Sequence, residues 1–159
     1  MITETPIPNA GVRFPPPLMF ALGLVVGWII QRTRPLPLPG SWGVIRPILA
    51  AVLIVAWFAL MLWAFASFRR AHTAIIPHRP AKSIVTYGPY QFTRNPMYVS
   101  MTLVYVGLAL TINSWWPFVL LPFVLAIIRL FVIAREERYL TSAFPVEYPA
   151  YCQRVRRWL

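Results

Sequence analysis

Residues 44–68 read VIRPILAAVLIVAWFALMLWAFASF, a run whose one charge, Arg46, lies near its start. About 20 mostly apolar residues carry an α-helix across the hydrocarbon of a bilayer, so this stretch alone predicts a transmembrane helix. Three further stretches come close to that length. Residues Leu18–Ile30 are short unless Phe14 and the Pro15-Pro16-Pro17 run sit at the mouth of the helix. Residues Met97–Ile112 and Trp115–Ala134 follow, the latter with Arg129 inside it. Between those two, Thr111-Ile112-Asn113-Ser114 is too short for anything but a tight turn joining antiparallel helices. The expected fold class is all-α: an integral membrane four-helix bundle forming a single domain over residues 1–159. Its spans fall near 16–32, 44–68, 96–112 and 115–134. A polar loop at 69–95 and an amphipathic helical tail at 135–159 complete it.

Composition agrees. Of 159 residues, 58% are hydrophobic and 12% charged, yet the net charge is +11 because 15 Lys and Arg face 4 acids. A disordered chain needs low hydrophobicity. An ordinary soluble domain carries roughly twice this share of charge. Nucleic-acid binding accounts for the charge but not for the apolar runs, so no nucleic-acid partner is expected. What remains is a membrane protein with basic rims. The lone Cys152 excludes an internal disulfide. Residues Met1–Gly11 carry Glu4 and no positive charge, which argues against a cleavable leader.

Charge placement gives an orientation. The 69–95 loop holds Arg69, Arg70, Arg79, Lys82 and Arg94, and the tail holds Arg135, Arg138, Arg154, Arg156 and Arg157. The connection at Asn113 holds none. The excess of basic residues on cytosolic loops then puts the loop, the tail and the N-terminus in the cytosol. Arg32, Arg34 and Arg46 flank the first connection and dissent from this assignment. Pro35, Pro37, Pro39 and Gly40 make that connection stiff and incompatible with a helix.

Two polar segments hold the residues capable of chemistry. In the first, Gly88-Pro89 marks a turn, Asn95 suits a helix cap, and Pro96 suits the first helical position, where its missing N–H costs nothing. Tyr90 and Tyr98 offer flat faces and hydroxyls at that helix entrance. The same pattern reads equally as a loop with interfacial tyrosine anchors. In the second, Glu136 and Glu137 close the fourth helix. Successive helical residues point about 100° apart, so both cannot face one ligand. Glu136 is the better candidate for a ligand, and Glu137 for an arginine partner. The alternative is a salt-bridged helix end, with Arg135 and Arg138 neutralising both. Arg129 either meets a substrate head group or snorkels to the rim. No glycine-rich phosphate loop or metal-ligand spacing appears, and His72 and His78 form no site, so no metal is expected.

Together Val85-Thr86-Tyr87-Gly88-Pro89-Tyr90, Arg94-Asn95-Pro96-Met97-Tyr98, Glu136-Glu137, Phe144, Glu147-Tyr148, Tyr151 and Val155-Arg156-Arg157-Trp158 resemble the isoprenylcysteine carboxyl methyltransferases. The phospholipid N-methyltransferases are similar in the same segments. The resemblance covers the chain from Lys82 onward. It implies a membrane methyltransferase dependent on S-adenosylmethionine, in a bacterial inner membrane, acting on a lipophilic acceptor. Carried over by position, the cofactor-binding residues are Lys82, Ser83, Ile84, Val85, Tyr90, Asn95, Pro96, Met97, Tyr98, Glu136 and Glu137. The implied catalytic residues are Arg94, Asn95 and Glu136, and the acceptor is assigned to Arg129 and Arg135. Three positions depart from the pattern. Asn95 stands where eukaryotic members have His, Pro145 where relatives have Gly, and Val132 where a carboxylate-binding Arg is expected. A carboxylate acceptor is already ionised at neutral pH and needs no general base, so O-methylation fits the scarcity of acids and bases. Amine N-methylation and a non-enzymatic scaffold on the same fold are the alternatives.

Overall fold

A computed structural model describes residues 15–40, 42–72 and 83–159. Helix α1 (Pro16–Thr33) starts with Pro16 and Pro17 in its first turn, the one place where a missing N–H costs no hydrogen bond. Helix α2 (Ile45–Arg70) follows the proline-rich connection. A short 3₁₀ turn, Gly88–Gln91, precedes α3 (Pro96–Ile112). Asn113, left-handed at φ 56°, turns the chain into α4 (Trp116–Ile127). Without a break, α4 passes through a π-helical stretch, Ile128–Ile133, into α5 (Ala134–Ala143). Helix α6 (Glu147–Arg154) and a short extended end complete the chain.

The tight turn at Asn113 and all four apolar helices are as expected. The fourth helix differs in length. It was expected to end at Ala134, but it continues to Ala143 as one helix of 28 residues. Arg135, Glu136, Glu137 and Arg138 are strong helix formers, so the helix crosses from apolar to polar sequence without a reason to stop. Three helices, α1, α2 and the one from Trp116, are long and apolar enough to cross a membrane, and α3 is a shorter apolar helix of the same kind.

Helices α1, α3 and α4 pack as a group of three, while α2 lies along α3 and the 3₁₀ turn outside that group. The core of the group is Phe20, Tyr98, Tyr105, Val124, Ile128, Val132, Ile133 and Tyr139. Tyr105 is wholly buried, and its hydroxyl donates to the Pro117 carbonyl at 2.8 Å. Gly27 lets α1 approach the start of α4, since a Cβ there would lie 2.9 Å from the Pro117 nitrogen. On α2, Val52, Val55, Phe58 and Leu62 are each more than half exposed. An apolar face of that extent suits hydrocarbon rather than water.

The two ends of the helices have different chemistry. At one end, the Gln31 carboxamide oxygen accepts from Ser114 Oγ and the Leu36 N–H, both at 2.8 Å. There too, Trp116 Nε1 donates to the Arg34 carbonyl at 2.7 Å and Arg46 binds the Asn113 side chain. The other end gathers the close of α2, the 3₁₀ turn, the start of α3, α5, α6 and the tail. Arg69, Arg70, Arg94 and the arginines of the tail therefore share one end, and Arg32, Arg34 and Arg46 share the other.

The 3₁₀ turn fits against α2 because residue 88 is glycine. Gly88 has φ 65°, and a Cβ on it would lie 2.3 Å from Ser67 Oγ and 3.1 Å from Trp63 Nε1. Tyr87 locks the same contact, its hydroxyl donating to the Ser67 carbonyl at 2.9 Å. Gly88→Ala adds a left-handed strain and a clash, together about 2 kcal/mol. The variant is expected to unfold at a lower temperature than the parent in a detergent melt followed by tryptophan fluorescence.

Candidate active site

The site grows from the sequence Thr93-Arg94-Asn95-Pro96 at the start of α3. Pro96 occupies the first helical turn, as its residue type predicts. Asn95 does not cap the helix with its side chain, contrary to expectation. Its Nδ2 instead donates to the Arg157 carbonyl at 3.0 Å. Thr93 Oγ1 donates to the same carbonyl at 3.1 Å and accepts from the Asn95 N–H at 3.2 Å. The Arg94 N–H donates to the Arg156 carbonyl at 2.9 Å. The end of the chain thus lies as a strap across the start of α3. Capping would need Oδ1 to face the free N–H groups of the helix, and with Nδ2 turned to the distant carbonyl the side chain makes no such bond.

Glu136 and Glu137 diverge, as the helical rotation requires. Glu136 Oε1 accepts from the Tyr98 hydroxyl at 2.9 Å. Glu137 turns to the strap, where Arg157 grips it with two hydrogen bonds, Nε at 2.9 Å and Nη2 at 2.7 Å. Arg94 Nη1 lies 3.4 Å from the same carboxylate and also contacts Cys152 Sγ. Glu137 is therefore an arginine partner, and the arginines that grip it, Arg157 and Arg94, come from other segments of the chain. Arg138 bonds instead to the Ala134 carbonyl one turn back, at 3.2 Å. Fork-to-fork pairing favours the strap, because a guanidinium arriving from outside the helix can align both donors with both oxygens. The Glu137 hydrogen bonds raise the pKa of Arg157, so it stays cationic throughout.

The other expected residues fall into three groups. Val85 and Tyr90 are buried together with Ala64, and Met97 packs on them half-buried. Tyr90 stands edge-on to Phe68 with ring centroids 5.4 Å apart, and its carbonyl accepts from the Tyr151 hydroxyl at 2.6 Å. Burial, then Tyr151 and Glu136, push the Tyr90 phenol pKa up, so it remains neutral. Ser83 Oγ donates to the Ala71 carbonyl at 3.4 Å, and Ile84 is half-buried beside it. Lys82 lies outside the described residues. Arg129, on the π-helical stretch, and Arg135 are both exposed.

The structure adds residues that sequence reasoning missed: Thr93, Tyr151 and the backbone and side chain of Arg157. Their contacts span about 60 residues of chain, so no local periodicity signals them. The traces were Tyr151 and the Val155-Arg156-Arg157-Trp158 cluster, recognised as parts of a pattern but without a role. Trp158 packs half-buried against the core that includes Tyr98 and Tyr139.

The resulting arrangement is a half-buried carboxylate, Glu136, held by a phenol at the start of an apolar helix. A basic strap lies across the start of the same helix and grips the neighbouring Glu137, and α2 alongside carries a lipid-suited face. A sequence model of the phospholipid methyltransferase family matches residues 45–147, from α2 to the start of α6. The chain is 37% identical over 80 residues to the cobalt-zinc-cadmium resistance protein CzcN of Cupriavidus metallidurans, covering 50% of this chain and 37% of that protein. It is 40% identical over 63 residues to an uncharacterized protein of Haemophilus influenzae, covering 40% of this chain and the whole of that one. No solved structure matches. With the family match extending over more than half of its length and over most of the Glu136 site, the chain belongs to the phospholipid methyltransferase family.

Proposed function

We propose that the protein transfers a methyl group from S-adenosylmethionine to a lipophilic acceptor at the cytosolic face of a bacterial inner membrane. The observation that carries this reading is the Tyr98–Glu136 pair at the start of α3. The phenol engages Oε1 and orients the carboxylate, so that Oε2 is the atom that would accept from the ribose hydroxyls of the cofactor. Tyr90, Met97 and Val85 supply an apolar wall beside it. Ser83 and Ile84 lead into that wall along the chain. The donor set fits a cationic nucleoside: it offers a carboxylate, aromatic faces and no metal-binding cluster among the described residues.

Bound there, the cofactor supplies an electrophilic methyl on a sulfonium. In-line displacement then asks the protein for position, exclusion of water and charge. The strap of Arg156 and Arg157, pinned by Thr93, Asn95 and Glu137, excludes water from above. Asn95 acts in this reading by holding the strap, and Arg94 by holding Glu137 and α6. The acceptor enters from the bilayer between helices, with Arg129 and Arg135 drawing an anionic head toward the rim.

The acceptor that best fits these residues is a carboxylate of the isoprenylcysteine type, because an ionised oxygen needs no base and Glu136 is committed to the cofactor. The family match favours a second reading, an amine head group of a phospholipid. Titration of the purified protein with S-adenosylhomocysteine is expected to show saturable binding. Assay with radiolabelled S-adenosylmethionine against prenylcysteine, phosphatidylethanolamine and a lipid extract is expected to label the prenylcysteine. Labelling of phosphatidylethanolamine alone selects the amine reading. Absence of binding to folded protein rejects both and leaves a membrane scaffold.

A further inference from the structure

Arg32, Arg34 and Arg46 sit at the end of the molecule opposite Glu136. No carboxylate among the described residues compensates them, because Glu136, Glu137 and Glu147 all belong to α5 and α6. The two ends are separated by the length of α3, about 25 Å at 1.5 Å per residue. Arg46 forms one wall of a cavity of about 220 Å³ between the proline-rich connection and the α3–α4 turn. Its other walls are Leu38, Pro39, Trp42, Leu110, Trp115 and Phe118. Apart from the guanidinium, every side chain in that lining is apolar or aromatic. Trp42 and Trp115 are both about half exposed at its edge, where tryptophan favours the membrane–water interface.

We propose that this cavity binds part of one acyl chain of an anionic diacyl phospholipid, with the phosphodiester paired to Arg46. Arg46 is already fixed on the Asn113 side chain, so its remaining donors are oriented and lose little freedom on binding. A guanidinium matches a phosphodiester with two parallel charge-assisted hydrogen bonds. An uncompensated cation at the edge of the hydrocarbon is costly, and a lipid phosphate removes that cost. The apolar walls account for a chain rather than a free anion. The lipid is held and not methylated, since its head group lies a helix length from Glu136. Arg46, one of the three arginines that oppose the charge-based orientation, thereby acquires a role that does not involve topology.

The test uses the full chain, delipidated in a mild neutral detergent. Phosphatidylglycerol is expected to raise its unfolding temperature more than phosphatidylcholine does, and increasingly so at low salt. Glycerol phosphate, which has no chains, is expected to have no effect. Arg46→Gln keeps a donor without the charge and is expected to need about fivefold more phosphatidylglycerol for half the shift. Arg34→Gln, outside the cavity, is expected to respond as the parent does. Equal stabilisation by phosphatidylcholine, reproduction of the shift by glycerol phosphate, or an unchanged Arg46→Gln response each overturns the proposal. If Arg46→Gln does not fold, Leu38→Trp fills the cavity with every arginine retained. That variant is expected to lose the phosphatidylglycerol response, and a full response from it overturns the proposal.

Discussion

Glu136→Ala is expected to lower the affinity for S-adenosylhomocysteine by about two orders of magnitude while the protein remains folded. The reasoning is local. A hydrogen bond to a charged group contributes about 1.5–3 kcal/mol, and the upper end applies where the carboxylate is oriented in advance and sheltered from water. The Tyr98 hydroxyl at 2.9 Å provides that orientation. Tyr98→Phe keeps the ring and removes the orienting bond, so it is expected to cost about tenfold. Calorimetric titration measures both, and circular dichroism with a thermal melt shows that the helices persist. Full affinity in folded Glu136→Ala would remove this residue from the site. Glu136 lies in the polar last stretch of its helix and bonds to a tyrosine of the core, so its loss is not expected to unfold the helices.

The second large effect concerns the strap. Glu137→Ala is expected to release residues 155–159 and lower stability by about 2 kcal/mol, discounted from the 3–5 kcal/mol of a fully buried pair because Arg157 is partly exposed. The change leaves Arg94 facing Cys152 with no carboxylate, and its Nε is already buried without a partner. Arg157→Ala is expected to cost less, since Glu137 then keeps Arg94 at 3.4 Å. In a double-mutant cycle the two changes are expected to couple by about 1–2 kcal/mol, a value that shrinks at high salt. Hydrogen exchange at residues 155–158 reads the release directly. Additive effects with no change in exchange would mean that the strap is held by the Thr93 and Asn95 contacts alone.

These two residues show how far sequence reasoning reaches. That Glu136 and Glu137 must face different ways follows from the rotation of an α-helix. Which arginine meets Glu137 does not follow. Arg135 and Arg138 are nearest in sequence, but the pairing goes to Arg157, which arrives from another segment with its fork aligned. Asn95 is a parallel case. Its residue type and the proline after it fit a cap, yet the Arg157 carbonyl claims its side chain. Local propensity lists what a side chain can do, and tertiary contacts select among the options.

Hydrocarbon length, apolar runs and proline placement determined the four apolar helices, the tight turn at Asn113 and the segregation of the arginines, because each depends only on residues adjacent in the chain. The tertiary structure alone decided that the fourth helix runs on to Ala143, that α2 stands outside the group of α1, α3 and α4, and that the end of the chain closes over α3. Those outcomes rest on contacts between segments some tens of residues apart. Such contacts are chosen by shape, by unpaired carbonyls and by charge alignment, none of which leaves a period in the sequence.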